Sequence, residues 1–586
     1  MRLALAPVNP TIGNLEGNAA LAGAAIARAR DAGADLVVLP ELCICGYPPK
    51  DLILQEGFVA ACAAAAKRLG ESATAGITTV IGVPLPADAS RPGRGTANSL
   101  VVYRDNRYVD YHDKRLLPTY DVFDEDRYFE PGGRAVVVEV PSRVGGPVQV
   151  GLSICEDLWK GEDAGFATRY LSASDPVAEV VSKGAQLLVG PSASPFVVGK
   201  GARHRAILAA HAKRHSMPVA SVNQLGGNDE LVFDGHSLVY GPDGSLAAAG
   251  PIFDGSMLVV DIAAGGIGGP GAGTRSPTHV AHDSTDDQQL FAALVLGIRD
   301  YLRKTGHAKA IIGLSGGIDS ALTCVLTAAA IGPGNVLGLA MPSRYSSEHS
   351  VQDAFELAKN LGVECTTIPI EPAMHGFRSL LDPAFTRHGW NTLGQTLPDL
   401  TEENLQSRLR GTTLMTVSNR TGALVVTTGN KSELGVGYCT LYGDMNGGLA
   451  ALSDVSKQWV YRLSRWINAN PRACGFASPP IPERSITKPP SAELRPNQTD
   501  QDSLPPYDVL DQILERYIEM HQSPERIVRE TRIDPAVVAR VVRLVDVAEF
   551  KRNQMAIGLK VTSVAFGSGR RYPIAQGYRP DRSIGR

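Results

Sequence analysis

Two stretches of the chain carry residue types whose spacing suits chemistry. The first is GLSGGIDS, where Gly313, Leu314 and Ser315 close an apolar run, Gly316 and Gly317 form a turn, and Ile318, Asp319 and Ser320 open a new apolar segment. Glycines let the backbone approach an anion closely, and a helix beginning near Asp319 aims its free N–H groups at the same point. A Walker loop needs GxxxxGK[ST], with a lysine that draws charge from the phosphates. The nearest match, TTGNKSE at Thr427 to Glu433, is broken because Asn430 separates Gly429 from Lys431. A lysine-free turn followed by an acidic residue suits a pyrophosphate held with Mg2+, and Asp319 is the candidate metal ligand.

The second stretch is VQVGLSICEDLW, a strand that runs into a turn at Cys155, with Glu156 and Asp157 beside it. A free thiol is barely ionised near neutral pH, so a nucleophilic cysteine needs a base and a cationic neighbour. Glu41 ends the apolar run DLVVLPE, and Lys114 follows the strand that leads into YHDKRLLP. These two residues supply both groups. The eight cysteines include no zinc-type CxxC pair, so the remainder read as small core residues of a reducing compartment.

The elements that must position these residues fall into two domains. A chain of 586 residues exceeds what one core organises. The clearest composition break is Ala263 to Thr285, rich in glycine, proline and small polar residues, which places a linker at 265–285 between domains 1–264 and 286–586. Before it, short apolar runs bounded by turn residues alternate with alanine-rich helices at Leu15 to Asp31 and Gly57 to Leu69. The runs from Gln149 to Ile262 fit two packed sheets. After the linker come helix Asp286 to Lys304, strand Ala310 to Leu314, helix Asp319 to Ile331, strand Val336 to Met341 and helix Ser346 to Leu361. This rhythm predicts a doubly wound parallel sheet, whose ligands bind beyond the carboxyl ends of the strands. The fold class is therefore α/β in both halves.

With 44% hydrophobic residues, 20% charged residues and a net charge of -3, the composition is that of a soluble enzyme without a nucleic-acid-binding surface. No run approaches the ~20 apolar residues that span a bilayer, and the apolar start of MRLALAPVNP is too short for a signal peptide. A cytoplasmic protein with no membrane partner is the expectation.

SGGIDS resembles the pyrophosphate loop of the N-type ATP pyrophosphatases, which adenylate a carbonyl oxygen and let a nucleophile displace AMP. Glu41, Lys114 and Cys155 resemble the triad of the nitrilase superfamily, whose fold is an α-β-β-α sandwich. That resemblance implies Glu41 as base, Lys114 as oxyanion stabiliser and Cys155 as nucleophile, with Glu56 or Glu125 as an auxiliary carboxylate. PSASPFVVGK supports glutamine as substrate, with Tyr120, Ser194 and Lys200 as its contacts.

Fusion of the two halves, together with TEENLQSRLRGTTLMTVSN, GDMNGGLAALSDVSKQWVY and ITKPPSAELRPNQTDQDSLPPYDVLD, resembles the glutamine-dependent NAD synthetases along essentially the whole chain. The resemblance implies that Gly313 to Ser320 and Thr428 bind ATP, that Asn404, Glu433 and Lys551 contact deamido-NAD, and that Asp319 and Glu433 hold Mg2+. Arg408 and Arg410 stand two apart on a helix, so only one of them is expected to reach phosphate, and Lys457 is a further candidate. It also implies a homo-oligomer of open size built on synthetase-domain dimers. The proline-rich stretch Lys488 to Asp508 is expected to fold over an adenylate that must be kept from water. The alternative, a nitrilase amidase fused to a tRNA- or nucleotide-modifying pyrophosphatase, calls for a basic patch that the sequence does not contain.

Overall fold

The structure is a computed structural model that describes residues 1–87, 93, 95–160, 170, 173–263, 266–267, 284–390 and 399–580. The chain forms two compact units, Met1–Ala293 and Leu294–Arg586. Most of the linker expected over 265–285 lies outside the described residues.

In the first unit, a seven-stranded sheet has the order Gly266–Ile267, Leu258–Ala263, Arg2–Leu5, Leu36–Val38, Thr78–Pro86, Thr96–Arg104, Arg107–Asp113. A six-stranded sheet has the order Leu246–Ala249, Ser237–Tyr240, Val219–Asn223, Leu187–Ser192, Val148–Leu152, Val137–Val140. Side chains alternate along each strand, and in the central strands both faces are apolar, whereas the edge strand Arg107–Asp113 is largely polar and mostly exposed or half-buried. Leu3, Leu5, Leu36, Val38, Leu100 and Val102 meet Val150, Leu152, Leu187, Val189 and Val222 in a core between the sheets. Their neighbours Ala4, Val37, Val101 and Tyr103 face outward beneath helices Leu15–Asp31 and Phe58–Ala73. Leu188, Val219 and Leu238 do the same in the second sheet. Burial on both faces is why these strands read as unbroken apolar runs. Each fully buried leucine or valine contributes roughly 1.5–3 kcal/mol relative to exposure. The layers are α-β-β-α.

The helix expected to begin at Gly57 begins at Phe58, because Gly57 adopts φ 82 and caps it, and it runs on to Ala73. Of the strands between Gln149 and Ile262, most build the second sheet, Leu225–Asn228 and Leu231–Asp234 pair antiparallel with each other as a separate ribbon, and Leu258–Ala263 returns to pair antiparallel with Arg2–Leu5 in the first.

The second unit holds a five-stranded sheet in the order Glu364–Thr367, Val336–Ala340, Ala310–Gly313, Leu424–Thr427, Leu449–Ala450, parallel throughout. Chain order reverses between Ala310–Gly313 and Leu424–Thr427, which opens a crevice at their carboxyl ends. The helix after the glycine turn is Ile318–Ile331. The next helix is Glu348–Leu361, starting two residues later than its apolar pattern suggests, because the Ser347 hydroxyl caps it by accepting from Ser350 N–H. Among the described residues no helix is long and apolar enough to cross a membrane.

Candidate active sites

In the first unit, Glu41, Lys114 and Cys155 each stand in the turn after a strand, following Leu36–Val38, Arg107–Asp113 and Val148–Leu152. Gly82 lets one of these turns pack: a Cβ there would lie 2.3 Å from the Pro40 carbonyl oxygen and 2.4 Å from Leu42 N, the backbone on either side of Glu41. Lys114 is fully buried, and its Nζ donates to Glu41 Oε1 and Glu125 Oε1, both at 2.8 Å. Glu41 is held further by Asn98 Nδ2 at 2.7 Å and Ala193 N–H at 2.8 Å. Tyr47 donates to Glu125 Oε1 at 2.8 Å.

Cys155 opens the short 3-10 turn Cys155–Leu158 with φ 43, a left-handed conformation that costs a side-chain-bearing residue roughly 1–2 kcal/mol. Burial and the Glu41 charge push its thiol well above the ordinary cysteine range, and Lys114 pulls against them. The resting thiol is protonated, so a base must act on it. Burial works to lower Lys114, but Glu125 and Glu41 outweigh it and hold the side chain well above its ordinary value as an ammonium.

Beside this cluster, Glu156 accepts from Tyr120 Oη at 3.0 Å and Tyr170 Oη at 2.8 Å. Lys200 Nζ donates to Ser194 Oγ at 3.3 Å, and Ser194 N–H donates to Asn223 Oδ1 at 2.8 Å. The Lys200 charge reaches Glu156. The three residues expected to meet glutamine are therefore brought to one place.

In the second unit the glycine turn is braced from within. Ser320 Oγ donates to Gly317 O at 3.0 Å, Gly317 N–H donates to Ser315 Oγ at 3.2 Å, and Ser485 Oγ donates to Gly316 O at 2.9 Å. Asp319, on the first turn of the following helix, accepts from Asn430 Nδ2 at 2.8 Å and from Lys457 Nζ at 2.5 Å. Lys457 Nζ also donates to Glu433 Oε1 at 3.1 Å. Burial, followed by Asp319, pushes the Glu433 carboxyl up to about 8 while Lys457 opposes them. Burial would lower Lys457, yet Asp319 and Glu433 raise it.

Asp319, Glu433, Lys457 and Ser485 line a cavity of about 500 Å³ that also takes in Gly313, Leu314, Ser315, Gly317, Ile318, Ser320, Asn404, Arg410, Thr428 and Lys551. The size suits a small-molecule site. Arg410 lines the cavity and donates from Nε to Met341 O at 3.0 Å, whereas Arg408 turns away to Leu441 O at 3.2 Å. Lys551 Nζ donates to the carbonyls of Gly437 and Cys439 at 2.8 and 2.7 Å, and Asn404 Oδ1 accepts from Thr440 Oγ1 at 2.9 Å. Lys488 to Leu494, with Gln498 and Asp500, also lines the cavity. Glu493 ties that segment down by accepting from Ser350 Oγ at 2.7 Å.

A carbon-nitrogen hydrolase family model matches residues 2–269, and an NAD synthase family model matches residues 290–555. A glutamine-dependent NAD(+) synthetase from Synechocystis sp. is 45% identical over 586 residues, covering 99% of this chain and 100% of the relative. The chain belongs to the glutamine-dependent NAD(+) synthetases. The solved structure of the Acinetobacter baumannii synthetase in complex with adenosine diphosphate is 36% identical, covers 98% of each chain and superposes with a TM-score of 0.71. The Cytophaga hutchinsonii synthetase, at 22% identity, covers 100% of each chain with a TM-score of 0.79 and shares the fold. A glutamine-dependent NAD(+) synthetase is an enzyme of the ligase class, which here unites a hydrolase-type unit with an NAD synthase unit.

Within this synthetase the geometry separates alternatives that sequence left open. Glu56 is exposed, while Glu125 is buried and accepts from Lys114, so of the two candidates Glu125 is the one the fold brings to the Glu41–Lys114 pair. Tyr170 and Asn430 are partners that sequence reasoning missed. Asn430 carried a signal, since Asn followed three residues later by Glu is a capping pattern, and both reciprocal bonds of the box are present. Lys431, the lysine of the broken Walker match, is buried against Asp454 at 2.9 Å and Glu519 at 2.7 Å.

Burial pushes Glu125 up to about 7, and its charge raises the Cys155 thiol. Above pH 7 Glu125 is ionised and suppresses the thiolate; below pH 7 it carries a proton and that suppression is gone. Glu125→Gln is therefore expected to speed alkylation of Cys155 by iodoacetamide by about three- to tenfold above pH 7 and to leave it little changed well below. The check is inactivation rate against pH for the two proteins.

Proposed function

We propose that an N-terminal domain, residues 1–264, hydrolyses L-glutamine, and that a C-terminal domain, residues 286–586, joined to it by a linker at 265–285, uses the released ammonia on deamido-NAD. The observation that carries this reading is that one chain holds a cysteine facing a buried Glu–Lys pair and, separately, an anion-binding turn at a sheet switch point beside paired carboxylates. In the first reaction, Glu41 takes the thiol proton as Cys155 Sγ attacks the glutamine amide carbon. Lys114 offers the developing oxyanion an N–H not engaged by Glu41 or Glu125. Glu41 returns the proton to the leaving nitrogen, ammonia departs, and water hydrolyses the thioester to glutamate. Tyr120, Ser194 and Lys200 hold the amino-acid end of the substrate.

In the second reaction, the turn from Gly313 to Ser320 and Thr428 hold ATP, while Asn404, Glu433 and Lys551 orient deamido-NAD. Its nicotinate carboxylate attacks the α-phosphorus and displaces pyrophosphate, and ammonia then displaces AMP to give NAD. Asp319 and Glu433 offer hard carboxylate oxygens suited to Mg2+, which commonly takes only one or two protein carboxylates and completes its shell with phosphate oxygens and water. Bound Mg2+ would neutralise phosphate charge; Lys457 holds the two carboxylates in place before it arrives. The proline-rich segment along the cavity shields the adenylate.

Incubation with ATP, deamido-NAD and glutamine labelled with 15N in its amide tests the reading. The label is expected in the carboxamide of NAD, with AMP and pyrophosphate formed alongside; ADP as product, or unlabelled NAD, would overturn it. Arg410 supports phosphate contact: burial lowers its guanidinium to about 10, leaving it charged at neutral pH. Arg410→Ala is expected to raise the nucleotide KM about tenfold or more, and Arg408→Ala to change it by less than about twofold, in steady-state kinetics.

Exposed Phe377, Leu380 and Leu400 on helices Glu371–His388 and Leu400–Thr421 support a homo-oligomer built through the second unit. The eight free cysteines fit a reducing cytoplasm.

A further inference from the structure

Asp157 lies two residues past the nucleophile and is fully buried. Its Oδ1 accepts from Arg115 N–H and Leu116 N–H, both at 2.9 Å. Its Oδ2 accepts from Ile154 N–H at 3.0 Å and lies 3.4 Å from Nε2 of buried His112. Arg115 and Leu116 directly follow Lys114, Ile154 directly precedes Cys155, and His112 is the last residue but one of the strand that leads to Lys114. One carboxylate therefore fastens the segment carrying the cation to the segment carrying the nucleophile.

We propose that Asp157 is a positioning residue for glutamine hydrolysis, setting the Cys155 thiol against the Glu41–Lys114 pair by gripping the backbone on either side of the gap. The inference rests on the assignment of Cys155 as nucleophile. Cys155 occupies a left-handed conformation that must be enforced from outside. Asp157 does this from both ends of the turn, since its own N–H also donates to Ile154 O at 2.9 Å.

Only an acceptor-only group fits all these donors. A carboxylate offers about four lone-pair sites to three N–H groups and the imidazole. An asparagine must turn an NH2 toward Ile154 N–H or toward the two amides after Lys114. A glutamate carries its oxygens one methylene too far. Asp157 touches no reacting atom in this scheme, so its loss should appear as misplacement of Sγ rather than as lost substrate binding.

The test uses the full-length enzyme with Asp157→Asn, Asp157→Glu and Cys155→Ala. For Asp157→Asn, kcat for glutamine hydrolysis is expected to fall about ten- to a hundredfold, with glutamine KM within about threefold. Iodoacetamide alkylation of Cys155 should slow in proportion, while NAD formation from ammonium chloride stays at the parent rate and reports an intact fold. Asp157→Glu should behave alike, separating position from charge, and it serves if the asparagine variant does not fold. Three outcomes overturn the proposal: kcat and alkylation close to parent, an equal loss of the ammonium-supported rate, or failure of both variants to fold. The last would leave Asp157 a structural role only. If Cys155→Ala still uses glutamine, the nucleophile assignment fails; if it does not while Asp157→Asn matches the parent, only this inference fails.

Discussion

Cys155→Ala is expected to abolish glutamine-supported NAD formation, by at least about 10³-fold, and to leave ammonium-supported formation within about twofold of the parent. The substitution removes one sulfur atom and little else. Alanine can hold the same backbone conformation as cysteine, and the Glu41–Lys114–Glu125 cluster keeps every hydrogen bond it has, since none of the bonds that hold it involves the thiol. Lys114→Ala would be a poorer probe, because it leaves buried Glu41 and Glu125 without a counter-charge. Breaking such a pair costs about 3–5 kcal/mol and would confound chemistry with unfolding. Assays with glutamine and with ammonium chloride on the same preparation separate the two units. Retained glutamine use by Cys155→Ala would remove Cys155 from the reaction.

How far the sites could be read from sequence depends on whether position along the chain determines position in space. Glu41, Lys114 and Cys155 were legible because each follows a strand, and strand ends in a layered fold gather at one edge. Asp319 was legible because a glycine turn between strand and helix is a local motif. The choice between Glu56 and Glu125 was not local. It depends on the loop that returns Glu125 to Lys114 and Tyr47, and nothing in the spacing records that return.

Lys457 was only one of several cations open for a role, since 138 residues separate it from Asp319. The parallel sheet, joining strands distant in sequence, closes that distance. Arg408 and Arg410 could be placed on different faces of one helix by their spacing, yet only packing decides which face lines the cavity. The strands were legible as strands, while their division into two sheets needed the alternation of Leu3, Leu5 and Leu36 against Ala4 and Val37 to be resolved by what packs on each side.

Gly316→Ala is expected to lower NAD formation from both nitrogen donors by at least about 10²-fold while glutamine hydrolysis, whose Glu41, Lys114 and Cys155 all lie in the first unit, continues. Gly316 has φ 75, and a Cβ there would stand 2.2 Å from Ser350 O, 2.8 Å from Ser350 C and 2.9 Å from Ser350 Cα. These are backbone atoms in the first turn of helix Glu348–Leu361, where the Ser347 cap fixes Ser350 N–H at 3.2 Å, so no side chain can swing aside to make room. Turn and helix must part, and the amides that would surround the phosphates turn with them. Gly334→Ala is the matched control, since its Cβ meets nothing within 4 Å and its φ is ordinary, and it should stay within about twofold. If Gly316→Ala keeps ammonium-supported synthesis near the parent rate, the turn is not the phosphate cradle. If it loses synthesis while Asp319 and Lys457 are untouched, backbone shape has done what a Walker loop also does, and the charge handling that such a loop gives to its lysine falls to the Asp319–Lys457–Glu433 group instead.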